Sequence, residues 1–132
     1  MSNIVIAGDT SGSVTLQAPA VAGGTVVTLP ATTGTAALTS DLLGVGQTWQ
    51  DVKASRVSGT TYTNSTGKPI MVMVGAIRAN SGYSMTVVVN GVTIVTADNS
   101  GVFYGSYDLS FIVPSGNTYV VTGSIRCWAE LR

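Results

Sequence analysis

Asp9, Asp51, Asp98 and Asp108 are the side chains with which this chain could attempt acid–base chemistry, because two carboxylates flanking one glycosidic bond make a glycan hydrolase. Their spacing does not bring two of them together. Asp9 falls in the turn signal Gly8-Asp9-Thr10-Ser11-Gly12, Asp98 opens a glycine-rich loop and Asp51 belongs to a strand edge, so turn-forming and solvated roles are expected and no catalytic residue is assigned. The chain has no histidine, which removes the usual general base and metal ligand. Its single cysteine, Cys127, excludes an internal disulfide and a multi-cysteine metal site. Without a histidine partner Cys127 reads as a small apolar side chain facing the core. No Asp-x-Asp-x-Asp calcium loop is present, so neither metal nor cofactor is expected and the chain reads as a non-enzyme.

Recognition is the better-supported chemistry. In the loop Asp98-Asn99-Ser100-Gly101-Val102-Phe103-Tyr104-Gly105-Ser106-Tyr107-Asp108, the rings of Tyr104 and Tyr107 beside Asn99 would suit a sugar through stacking and hydrogen bonds. A seam between subunits would use the same side chains equally well. Tyr83, in Asn80-Ser81-Gly82-Tyr83, is a second candidate of the same kind. Asn64-Ser65-Thr66 matches a glycosylation sequon but reads as a loop, since the start Met1-Ser2-Asn3-Ile4 lacks the basic and apolar regions of a secretion signal and synthesis in a cytoplasm is expected.

The elements that must position these residues follow from composition. Of 132 residues 45% are hydrophobic and 9% charged, against about 25% charged in an ordinary domain. Threonine, serine and glycine fill the surface, and valine dominates the apolar set, which favours β structure. Six basic and six acidic residues cancel. With no basic stripe and no long apolar run, nucleic acid and membrane are not expected as partners. Lys53, Arg56, Lys68, Arg78, Arg126 and Arg132 are scattered and read as solubilising charges.

The first forty residues form a segment apart. Short apolar runs, Ile4-Val5-Ile6, Ser13-Val14-Thr15-Leu16 and Thr25-Val26-Val27-Thr28-Leu29, alternate with glycine, serine and threonine, with no aromatic residue. Such a segment buries too little to fold alone, so residues 1–40 are expected to attach and oligomerise through Ile4, Ile6, Val14, Leu16, Val26 and Leu29. Residues 41–46 read as a hinge with one helical turn capped by Ser40 or Asp41. Residues 47–132 hold every aromatic side chain and read as a small antiparallel β-sandwich. Within it Asn90-Gly91 predicts a type I′ hairpin between Ser84–Val89 and Val92–Ala97. The run from Ile70, with Met71 and Met73, predicts a central strand covered on both faces. In the last strand Ile125, Cys127, Ala129 and Leu131 are expected on the dry face, with Arg126, Trp128, Glu130 and Arg132 opposite, and the strands of Trp49 and Trp128 are expected to pair.

These residues resemble tailed-bacteriophage virion proteins. The segment Gly8-Asp9-Thr10-Ser11-Gly12-Ser13-Val14-Thr15-Leu16, with Ala18-Pro19-Ala20 and Thr28-Leu29-Pro30-Ala31-Thr32-Thr33-Gly34-Thr35, is similar to a module recurring in such proteins. Gly44-Val45-Gly46-Gln47-Thr48-Trp49-Gln50-Asp51-Val52 and Trp128-Ala129-Glu130-Leu131-Arg132 resemble fibre-tip and virion decoration domains. The resemblance implies a jelly-roll-like sandwich and a homotrimer on the surface of a phage particle. Its partners would be other virion proteins of capsid or tail and a host cell-surface glycan. It implies either a short receptor-binding fibre or a capsid decoration protein or head fibre, and the residues do not choose between them.

Overall fold

Two short β-branched, apolar runs near the start form a two-stranded hairpin, β1 (Asn3–Ala7) and β2 (Ser13–Gln17), closed by Gly8 N–H donating to the Gly12 carbonyl at 3.0 Å. The computed structural model describes residues 3–21, 23–28, 31–34, 38–76, 83–99 and 107–132, with the backbone alone of Asn3, Tyr83, Asp98 and Asn99. The chain divides into two units, Met1–Thr35, which carries the hairpin, and Ala36–Arg132.

The second unit is built outward from Asn90 and Gly91. Their φ values of 50° and 80° are the left-handed pair a type I′ turn requires, which an asparagine and a glycine adopt at least cost. The described residues of this unit form eight strands: β3 (Trp49–Asp51), β4 (Thr61–Thr63), β5 (Ile70–Ala76), β6 (Tyr83–Val89), β7 (Val92–Asn99), β8 (Asp108–Val113), β9 (Thr118–Thr122) and β10 (Ile125–Leu131). With the turn at the tip, β6 pairs β7, β5 pairs β8, β4 pairs β9 and β3 pairs β10, all antiparallel, as if one long hairpin had been rolled up. Alternate pairs fall in alternate sheets, giving the orders β3-β10-β5-β8 and β4-β9-β6-β7. This is the strand order of a jelly roll, and the fold is all-β as its composition predicts.

Between the sheets lie Val52, Ile70, Val72, Val74, Ala76, Met85, Val87, Phe111, Val113, Tyr119, Val121, Ile125 and Trp128. Burying each large side chain of this set is worth roughly 1.5–3 kcal/mol before the chain's ordering entropy is set against it. Trp49 opposes Leu131 across β3 and β10, so the two tryptophan-bearing strands do pair.

Two sequence expectations need correction. The register of β10 against β5 shifts between Ile125 and Cys127, and this bulge moves the alternation by one residue. Ile125, Trp128 and Glu130 therefore point into the core, while Cys127 is exposed and Ala129 and Leu131 are half-buried on the outside. Strand β5 is central in its sheet but covered on one face alone: Ile70, Val72, Val74 and Ala76 are buried, whereas Met73 on the other face is 42% exposed. Gly75 lies on that outer face, where a Cβ would press on Cys127 Sγ and the Asp108 carboxylate and oblige those exposed side chains to move aside.

The stretch before β3 is a 3-10 turn, Thr39–Asp41, in which the Asp41 carboxylate accepts from Leu38 N–H at 3.2 Å. Gln47 then stitches the chain to the sandwich. Its amide oxygen accepts from Gly44 N–H, and its amide nitrogen donates to the carbonyls of Pro69 at 2.9 Å and Leu131 at 3.3 Å.

Candidate functional site

In the first unit the register decides the chemistry. Ile4 opposes Leu16 and Ile6 opposes Val14, so these four side chains share one face of the hairpin, while Val5 opposes Thr15 on the other. All four are exposed, between 56% for Ile6 and 65% for Ile4. A lone two-stranded hairpin with an open apolar face is marginal in water, and its stability calls for something to cover that face. Four of the six residues expected to attach are thus gathered on one surface. Val26 is not among them; it is 84% exposed in an irregular stretch, and Leu29 lies outside the described residues.

Of the expected ligand-binding residues, Tyr83 and Asn99 oppose each other at the ends of β6 and β7. Tyr107 precedes β8, exposes 41% of its surface and uses its carbonyl to accept from Ala76 N–H. Tyr104 lies outside the described residues, as do the side chains of Tyr83 and Asn99. Asp51 and Asp108 occupy the two edge strands of one sheet, three strand spacings or roughly 14 Å apart, too far for the roughly 5–10 Å separation of glycosidase carboxylates. The Asp51 carboxylate accepts from Lys53 N–H, and that of Asp108 pairs with Arg126 at 2.6 Å, both side chains being about half exposed.

The densest polar cluster is one that sequence reasoning missed. The loop after β3 carries Arg56 across the sandwich edge to Glu130, where Nε donates to Oε1 at 2.8 Å and Nη2 to Oε2 at 3.0 Å. Tyr119 Oη also donates to Oε1, and Arg132 Nη1 donates to Oε2 at 2.6 Å. A carboxylate buried to 1% exposure is thereby supplied on both oxygens. Burial alone would push the Glu130 carboxyl up, but the hydrogen bonds from Arg56, Tyr119 and Arg132 outweigh it and hold it below the usual carboxylate range. Burial and then the Glu130 carboxylate push the Tyr119 phenol up, so it stays a donor. The Glu130 hydrogen bond raises the Arg56 guanidinium against the opposing cost of burial.

Aromatic rings floor the cluster. Arg56 Cζ lies 4.4 Å from the centroid of the Tyr62 ring, Tyr62 meets Trp128 edge-on at 6.0 Å, and the Tyr62 hydroxyl accepts from Val57 N–H. Trp128 Nε1 is buried with no hydrogen-bond partner among the described residues. Beside them Asn64 is 2% exposed, its Nδ2 donating to the carbonyls of Lys68 and Val113 and its Oδ1 accepting from Thr66 Oγ1 at 2.7 Å. The sequon asparagine is a buried brace between two loops, with no nitrogen left for a glycan. Glu130, the one acidic residue of β10, was the sequence signal that could have pointed here.

Matched against protein-family models, curated proteins and solved structures, the chain finds no match in any of the three.

Proposed function

We propose that this protein is a structural component of a tailed-phage particle, a short homotrimeric fibre that docks through its N-terminal hairpin and holds its jelly roll outward toward a host-surface glycan. The observation that carries the docking half is the open face of Ile4, Ile6, Val14 and Leu16, a surface that gains stability when it is covered. The phage assignment draws on the resemblance of the sequence at both ends. Attachment of this kind works by apolar burial and backbone pairing, since Asp9 is the sole charge between residues 3 and 38.

Contact between copies has a surface of its own in the sandwich. Trp49, Leu131, Met71 and Ile112 form a single row across all four strands of one sheet, facing away from the core. Trp49 and Ile112 are 50% and 52% exposed. Three copies on one axis would raise the avidity of weak glycan contacts.

The test is retention on particles. Full-length protein should stay bound when ionic strength is raised to about 1 M, where charge–charge attraction is screened within about 3 Å. Ile6→Asp or Leu16→Asp should abolish incorporation while the sandwich keeps its melting temperature. Release of the native protein by salt, or normal incorporation of the Asp variants, would overturn the docking reading.

A further inference from the structure

Arg56, Tyr62, Thr63, Asn64, Ser65, Thr66, Ile70, Tyr119, Glu130 and Arg132 line a cleft of about 230 Å³ at the edge of the sandwich. Two guanidinium groups face one carboxylate there, so the cleft carries a net charge of +1 from Arg56, Arg132 and Glu130. The carboxylate presents nothing further to accept with, since Oε1 takes Arg56 Nε and Tyr119 Oη, and Oε2 takes Arg56 Nη2 and Arg132 Nη1. Donors remain on the cationic side. Arg132 Nε and Nη2 and Arg56 Nη1 have no partner among the described residues, and the Arg132 side chain is 35% exposed.

The rest of the lining is uncharged and, apart from Ile70, polar. Thr63, Ser65 and Thr66 are exposed and share the lining with Tyr62. One net positive charge matches a monoanion better than a phosphate dianion, and the planar fork of a guanidinium matches a carboxylate. The volume exceeds that of a carboxylate alone, and hydroxyl-bearing rim residues ask for a hydroxylated body attached to it. We propose that this cleft binds a hexuronate residue, whose carboxylate engages Arg132 and Arg56 and whose hydroxyls meet Thr63 and Ser65, the Thr66 hydroxyl being held by Asn64 Oδ1 and the Lys68 carbonyl. The proposal stands independently of where the protein resides.

The experiment titrates the full chain with sodium glucuronate, sodium galacturonate, glucose and inorganic phosphate, following backbone amides and arginine Nε–H signals by NMR. A uronate should shift Arg132 Nε and the Ser65 and Thr66 amides at millimolar concentration, glucose should not, and phosphate should bind at least tenfold more weakly. Arg132→Gln should weaken uronate binding at least tenfold, and Ser65→Phe, which blocks the cleft from an exposed rim position without touching the ion pair, should do the same. Arg126→Gln, on the outer sheet face, should leave it unchanged. Absence of uronate shifts, equal binding of phosphate or glucose, or uronate binding that survives Ser65→Phe in a folded protein would overturn the proposal.

Discussion

Arg56 and Glu130 stand 74 residues apart in the sequence and meet as a two-pronged ion pair, Nε to Oε1 at 2.8 Å and Nη2 to Oε2 at 3.0 Å. The pair fastens the loop that follows β3 to the last strand of the sandwich, and Tyr119 adds the other sheet through its bond to the same carboxylate. Three distant segments are thereby locked at one point.

Removing one partner strands a buried charge, which typically costs more than the pair contributes. Glu130→Ala should therefore destabilise the protein by about 3–5 kcal/mol in urea denaturation. A loss below about 1 kcal/mol, the size of an exposed pair, would contradict the buried geometry. The Arg126–Asp108 pair on the outer face supplies the comparison, and breaking it should cost less than about 1 kcal/mol.

The same cluster sets the pH limits. Glu130 is held below its ordinary value of about 4.3, so its stabilisation is complete above that pH and is lost as pH falls through the lower folded value. Tyr119 is raised above its ordinary value of about 10, so its contribution is complete below that pH and fades as pH rises toward the higher folded value. Melting temperature measured against pH should fall on both flanks, and Glu130→Gln should flatten the acid one. An unchanged acid flank in that variant would place the acid sensitivity elsewhere.

Cys127 provides a direct test of the bulge in β10. Exposed on the outer face, it should react with one equivalent of a thiol reagent in the native protein. Reaction only after denaturant, in the monomeric Ile112→Glu variant as well as in the native protein, would mean that the strand keeps simple alternation and that Trp128 and Glu130 do not both face inward.

Much of the sandwich could be read from the sequence because its signals are local. Asn90-Gly91 fixes a hairpin by its own φ requirements, and the run from Ile70 to Ala76 is apolar enough to demand a core. What escaped depended on partners remote in sequence or on one inserted residue. Nothing near Arg56 announces Glu130, so it reads as a solubilising charge like the others. The bulge at Ile125/Cys127 reverses every side chain after it, which turned an expected dry face outward and brought a glutamate into the core. On the hairpin, simple alternation was sufficient, and Ile4, Ile6, Val14 and Leu16 fall on one face.

The apolar row on the outer sheet face predicts an oligomer that can be broken without unfolding. The protein should run as a trimer by light scattering, and Ile112→Glu or Trp49→Glu should yield monomers with native circular dichroism, because both side chains are already exposed within one chain. A native protein that is monomeric, or a trimer indifferent to both substitutions, would remove this surface from the account.

The central claim is that the hairpin faces a phage particle and the jelly roll faces away from it. Reconstruction of purified particles carrying this protein by electron cryo-microscopy tests it most directly. The account predicts density for residues 3–17 packed against a virion protein, with residues 47–132 projecting outward from tail or capsid. Absence of the protein from purified particles, or a jelly roll packed against the shell with the hairpin free in solvent, would contradict it.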